Sequence, residues 1–384
     1  MIIEIRQAGF VNKGAELMLL AVVYKLRERY PNAKLTMAPI FGSAEDTYDK
    51  MRALNLYPKI WLWRYGFDWG SLAKFVPKKL IKLHGFVLDD EVDVIIDAAG
   101  FSYSDQWGLR SSQELASSSK KWRKKNKKLI LLPQALGPFK KNGIEKYVKT
   151  WAANADLILA REQDSYNYIR NVYGDSNKIK IFPDFTNLVN PTIPEGYDAS
   201  DKRVALVPNH RMLDKTSKEE SESYLPFMIS CAKHLKERQS KPFVLIHEGY
   251  QDEKLAQQIS DAVGGIPIVK EVDPLHIKGI LGLCDATIGS RFHGLVSALC
   301  QGVPSLATGW SHKYSRLFED YGFTDGLISS LSSEDEIKTK INFLLDPSSS
   351  ETLKATLRHR AQTLKLTSEK MWETVFNEIE GLER

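Results

Sequence analysis

Gly289-Ser290-Arg291-Phe292-His293-Gly294 gathers in six consecutive positions groups that could hold an anion and move a proton. A guanidinium presents a fixed fork of donors to a phosphate or carboxylate. An imidazole two residues later exchanges protons near neutral pH. The flanking glycines let backbone N–H groups come close to a ligand. Lys313, twenty residues beyond His293, adds a second fixed charge, and Ser290 adds a hydroxyl to the same turn. Arg211, in Pro208-Asn209-His210-Arg211, is a third cation in a comparable setting. An anion receptor combined with a proton donor is the chemistry these residues could perform.

Such groups need elements that fix them. The apolar run Leu281 to Ile288 reads as a buried strand, and Leu295 to Leu299 as a helix packed on a sheet. Strand, turn and helix put Arg291 and His293 at a strand's carboxyl end, where open α/β sheets bind ligands. Arg203 to Val207 reads as another strand and places Arg211 at an equivalent end. Near the start, Ile2 to Ile5 reads as a strand and Asn12 to Arg29 as a helix with Asn12 as its N-cap. The loop between them, Gly9 to Glu16, admits two readings: an anion site, or a tight turn with Glu16 exposed. Its glycine spacing is not that of a dinucleotide fingerprint.

Further strands are expected at Lys34–Ala38, Val92–Asp97, Lys128–Leu132 and Asp156–Ala160. The loop after Asp97, running to Asp105, is small and polar and suits a sugar-binding rim. Between Asp184 and Asp201 the periodicity fails, with Pro191, Pro194 and Gly196, and a second series then begins. Its strands are expected at Phe243–Ile246, Ile266–Val269, Ala286–Ile288 and Pro304–Ala307, after Arg203–Val207. Short apolar strands alternating with amphipathic helices mean parallel sheets covered on both faces. The expectation is α/β: two doubly wound Rossmann-like domains facing a cleft, as in GT-B glycosyltransferases. Residues 1–185 would form the first domain, the acceptor side, followed by a linker at 186–202. Residues 203–365 would form the second, donor side, and 366–384 a C-terminal helix crossing back to the first.

At 384 residues two domains are the natural expectation, and a net charge of +5 is too mild to announce nucleic acid. Cys231, Cys284 and Cys300 show no metal-ligand spacing, so buried thiols and no metal are expected. No leader and no run of 18 apolar residues are seen, which points to the cytoplasm. Two stretches stand out. Lys120 to Lys128 holds seven basic residues in nine positions, either a solvated helix end or a phosphate-binding patch. Residues 61–82 mix tryptophan, tyrosine and phenylalanine with lysine. That stretch either packs under an insertion or touches the inner face of the cell membrane, and then the acceptor would be carried on a lipid.

The signature at 289–294, with Gly302-Val303-Pro304 and Lys313, resembles that of the polysaccharide pyruvyl transferase family. Asn12-Lys13-Gly14-Ala15-Glu16, the loop at 97–105, Pro133 to Pro138, Arg161-Glu162 and Pro183-Asp184 fit the same resemblance, in order. It implies transfer of pyruvate from phosphoenolpyruvate to a sugar of a cell-surface polymer or its precursor, forming a cyclic ketal, with no cofactor. It also implies donor binding by Arg291 and Lys313; Arg211, at the equivalent strand end, is the third candidate, and Ser290 a further one beside Arg291. His293 would be the general acid or base. The group that activates the sugar hydroxyl is open among Glu16, Asp97, Asp105 and Asp184, with Asn12 as an acceptor contact. A nucleotide-sugar glycosyltransferase of the same architecture, and a non-catalytic binder of anionic polymer or membrane, are the alternative readings.

Overall fold

The computed structural model describes residues 1–39, 47–65 and 67–381. The chain divides into two units: residues 1–11, 18–185 and 367–384 in the first, 12–17 and 186–366 in the second. Each is a parallel sheet flanked by helices.

The first sheet takes strands β1 (Ile2–Arg6), β2 (Lys34–Met37), β3 (Tyr57–Ile60), β6 (Val87–Leu88), β7 (Val94–Asp97), β8 (Lys128–Gln134), β9 (Leu157–Ala160) and β10 (Ile179–Ile181). They run in the order β10-β9-β8-β7-β1-β2-β3-β6, and a two-stranded hairpin, β4 (Trp63–Arg64) with β5 (Phe67–Asp68), lies apart. Strands β3, β6 and β10 are absent from the expectations above. Tyr57-Pro58-Lys59-Ile60 carries a proline and a lysine where a buried strand should be apolar. Yet Lys59 is 1% exposed, because Glu4 and Asp89 (2.8 Å) neutralise it inside the protein. Those partners lie far away in sequence, so no local pattern announces the strand.

The second sheet holds β11 (Val204–Val207), β12 (Pro242–Ile246), β13 (Ile268–Lys270), β14 (Ala286–Gly289) and β15 (Ser305–Ala307), in the order β13-β12-β11-β14-β15. Here the run Leu281 to Ile288 is not one strand. Its first residues end the helix Pro274–Gly282, which Asp273 caps by accepting from Leu275 N–H at 2.8 Å. An unbroken apolar run cannot by itself separate the buried face of a helix from a strand. The segment before β11 is held to this unit: Thr192 N–H donates to Leu275 O at 3.2 Å and Lys278 Nζ to Thr186 O at 2.8 Å.

The last helix begins far earlier than residue 366: it spans Pro347–Glu380. Its end belongs to the first unit, where Lys25 bonds Glu369 and Trp372 meets Phe185 edge-on at 6.1 Å. The basic stretch 120–128 is largely neutralised. Lys121 pairs with Asp68 and Asp89, Arg123 with Asp156, Lys125 with Asp90 and Lys128 with Glu378, while Lys127 donates to two backbone carbonyls.

Gly66 of the aromatic stretch lies outside the described residues, as do residues 382–384 of the C-terminal helix expectation. Within the stretch Trp63 and Ile81 are buried, whereas Tyr65 and Phe75 are 85% and 75% exposed, as is Leu83 just beyond it at 76%. Packing beneath an insertion does not describe these three side chains. Among the described residues no helix is long and apolar enough to cross a membrane.

Candidate functional site

In the second sheet β12 and β13 lie on one side of β11, and β14 and β15 on the other. The strand order therefore reverses between β11 and β14, the switch point where a crevice opens at the carboxyl ends. Val207 and Gly289 stand level there, and Ser290 N–H still donates to Val207 O at 3.1 Å. Pro208-Asn209-His210-Arg211 and Ser290-Arg291 thus leave the sheet side by side.

The turn after β14 is tied from several sides. The Ser290 carbonyl accepts from Asn209 Nδ2 (2.6 Å) and from the Tyr314 hydroxyl (2.8 Å), and its own hydroxyl bonds Tyr224 Oη at 2.9 Å. Ser290 is fully buried. Its hydroxyl is thus bonded to Tyr224 and helps to fix the turn. Arg291 then caps the helix Phe292–Leu299 with extended backbone and no side-chain cap bond. An uncapped helix start on a strand end turns its first N–H groups, and the positive end of its dipole, toward whatever lies above.

Arg291 departs from the expectation of an open anion receptor. Its Nε and Nη2 donate to Asp252 at 2.8 and 2.6 Å, and Nη1 reaches Glu248. Both acids follow β12, four residues apart at the start of the helix Gly249–Ala262 and so on one face. Burial pushes the Asp252 carboxyl up to about 7 and the Arg291 guanidinium down to about 10. Their mutual bonds oppose both shifts, and between those values each keeps its charge. Arg291 is thus a locked strut with part of its charge already balanced.

His293 sits on the first turn of the helix, its ring 5.3 Å from that of Phe292 and edge-on to it. Its Nδ1 faces Gly14 so closely that a Cβ there would fall 2.4 Å away. Gly14 belongs to the Asn12–Leu17 segment of the same unit. Asn12 caps its helix as expected, Oδ1 accepting from Ala15 N–H at 2.8 Å. Glu16 is buried and takes Lys13 Nζ at 3.0 Å, so it is not the exposed side chain of a bare turn. His247, at the end of β12, is buried, packs beneath Gly294 and lies in the fields of Arg291, His293 and Lys13. Burial, and then those cations, hold it well below the usual imidazole range, so it is neutral.

The Lys313 ammonium lies over the rings of Trp310 (4.7 Å), Phe292 (5.1 Å) and Tyr314 (5.3 Å). Arg211 opens a short helix and pairs with Asp214 at 2.6 Å. It stands near enough for its charge to act on Asp252 and Arg291. The second unit therefore gathers Asn12, Glu16, Arg211, Ser290, Arg291, His293 and Lys313 into one region, together with Lys13, His247, Glu248 and Asp252. Of these additions, the sequence carried a signal for the acids: a carboxylate pair at helical spacing directly after a strand.

Three of the candidate acids lie in the first unit and are engaged there. Asp97 is fully buried, accepting from Arg6 Nε (3.0 Å), Tyr103 Oη (2.7 Å) and Ala99 N–H (3.2 Å). Asp184 is buried against Arg161 at 3.2 Å. Asp105 accepts from the N–H groups of Lys140 and Lys141 and so staples two loops. Asp97 and Asp184 are thus buried and bonded to groups of the first unit. Among the described residues no cluster of His, Cys, Asp and Glu is arranged to hold a metal.

Solved structures of similar fold cover nearly the whole chain at low identity. A protein described as a UDP-N-acetylglucosamine 2-epimerase from Listeria monocytogenes has a TM-score of 0.64 at 12% identity, covering 99% of this chain and 95% of that one. The UDP-GlcNAc 2-epimerase of Neisseria meningitidis, solved with UDP-GlcNAc, gives 0.63 at 10% identity, covering 98% and 100%. WaaG, a glycosyltransferase of lipopolysaccharide biosynthesis, gives 0.50 at 11%, covering 97% and 99%. These likenesses establish the fold, that of the GT-B glycosyltransferases and epimerases. The family described as polysaccharide pyruvyl transferase matches residues 12–312, from the helix cap at Asn12 through the His293 turn, and the chain belongs to that family.

Proposed function

We propose that the chain transfers the pyruvyl group of phosphoenolpyruvate to two hydroxyls of one sugar of a cell-surface polysaccharide or its precursor. The observation that carries this reading is the convergence on His293: an uncapped helix start bears it, Gly14 abuts its ring, and Lys13, Arg291 and Lys313 belong to the same region. Phosphoenolpyruvate brings a phosphate and a carboxylate. Helix-start N–H groups and the lysines suit those charges, while Arg291, braced by its two acids, keeps the turn in place.

The reaction needs a proton delivered to the methylene carbon, and His293 is the group placed to carry it. The ketal carbon then takes up positive character, and a sugar hydroxyl adds to it and loses its proton. The carbon–oxygen bond to phosphate then breaks, phosphate leaving with the bonding pair, and a second hydroxyl adds to the same carbon and closes the ring, its proton passing back to the group that protonated the methylene. Glu16, buried beside Lys13, is the acid of the second unit among the candidates for the hydroxyl proton.

The acceptor's carrier fits a lipid. The bare aromatic and leucine side chains of 61–82, with Leu83 beside them, suit a bilayer surface, where rings and aliphatic chains enter and lysines stay at the headgroups.

The test is incubation with phosphoenolpyruvate and a panel of sugar acceptors, following phosphate release and a product mass increased by a ketal-linked pyruvate. His293→Ala should lower kcat by about 100-fold or more, the usual range for a lost general acid. Release of UDP from a nucleotide sugar, with phosphoenolpyruvate inert, would establish the glycosyltransferase reading in its place.

A further inference from the structure

Beyond the carboxyl end of β15 lies a second cavity of the same unit, about 630 Å³. That is within the roughly 300–1,000 Å³ range of small-molecule sites. Thr308, Ser311, Ser315, Ser329 and Ser332 line it with Glu220 and Glu336, and among the described residues no lysine or arginine does. Ser311 Oγ is buried and makes no hydrogen bond among the described residues. A buried hydroxyl without a partner is disfavoured unless a ligand or water supplies one. Tyr314 forms part of the wall, and its hydroxyl is the one that ties down the Ser290 carbonyl. Its ring also meets Phe292 edge-on at 5.9 Å. The cavity is therefore one side chain away from the turn that bears Arg291 and His293.

We infer that this cavity binds a neutral sugar ring of the acceptor, a subsite on the second unit beside the pyruvyl-transfer centre. The inference rests on the function proposed above and deepens it. Carboxylates accept hydrogen bonds from ring hydroxyls, serine and threonine both donate and accept, and Leu327 and Leu331 offer apolar contact for the sugar's C–H face. The two carboxylates repel phosphoenolpyruvate, so the lining separates acceptor from donor by charge. Part of acceptor recognition then falls on the donor-side unit, whereas the sequence reading gave it to the first.

Two measurements test this. In the transfer assay, Ser311→Ala and Glu336→Gln should each raise the acceptor KM about fivefold, the usual effect of one lost hydrogen bond, with the phosphoenolpyruvate KM unchanged. An unaltered acceptor KM, or a shift in the donor KM instead, would overturn the assignment. Saturation-transfer NMR with methyl glycosides of galactose, glucose and N-acetylmannosamine needs no turnover. It therefore keeps failure of the subsite distinct from failure of the pyruvyl-transfer reading. A signal in the wild type that fades when Ser311→Ala and Glu336→Gln are combined supports the subsite, and no signal from any of the three, or one that the combined variant leaves unchanged, refutes it.

Discussion

At the scale of single residues, the site couples two histidines of opposite character. His293 meets the helix start and Gly14, while His247 lies buried below Gly294 and is kept neutral by burial and by neighbouring cations. A histidine whose folded pKa is depressed stays unprotonated in the fold while the unfolded chain takes up a proton below pH ~6.5. Its contribution is fully present above that pH and is lost as the pH falls, by up to about 1.4 kcal/mol per unit. His247→Gln should therefore flatten the loss of stability between about pH 6.5 and 5 in denaturant titrations. A variant that keeps the parent's slope would mean that His247 takes up its proton in the folded protein. The sequence makes Arg291 and His293 conspicuous because glycines flank them at a strand end. It does not reveal that Glu248 and Asp252 close on Arg291, since that contact exists only once β12 pairs with β11.

At the scale of elements, the Asn12-Lys13-Gly14-Ala15-Glu16 turn has to approach a second element closely, and Gly14 is the position that allows it. Helix propensity alone favours alanine there by roughly 0.5–1 kcal/mol. The approach of His293 argues the other way, because an alanine Cβ would lie 2.4 Å from Nδ1 and 3.1 Å from Cγ, and the ring would have to move. Gly14→Ala should thus leave the melting temperature within a few degrees of the parent while cutting kcat about tenfold or more, as a displaced catalytic group does. Equal kcat would show that the ring's position is unimportant. Element by element, short buried segments rich in apolar residues, such as Val94–Asp97 and Lys128–Gln134, read correctly as strands. Tyr57–Ile60 was hidden because its lysine is solvated by two distant carboxylates instead of water.

At the scale of the whole molecule, the net charge of +5 understates a local asymmetry. Residues 69–88 contain Lys74, Lys78, Lys79 and Lys82 and no aspartate or glutamate. The same stretch leaves Trp69, Leu72, Phe75, Leu80 and Leu83 exposed. Apolar side chains left in water and a one-signed charge together fit an anionic bilayer: burying a phenylalanine or leucine fully contributes about 1.5–3 kcal/mol, and each lysine near such a surface about 1 kcal/mol. The protein should co-sediment with vesicles of phosphatidylglycerol and phosphatidylcholine, less with phosphatidylcholine alone, and less as salt rises. Phe75→Ser with Leu83→Ser should weaken that binding at least tenfold at an unchanged melting temperature, because neither side chain supports the core. Wild-type protein that stays in the supernatant with every vesicle, or that pairs with itself through this surface in sedimentation, would remove the lipid from the account. Transfer to a soluble acceptor would then be the form of the reaction to pursue.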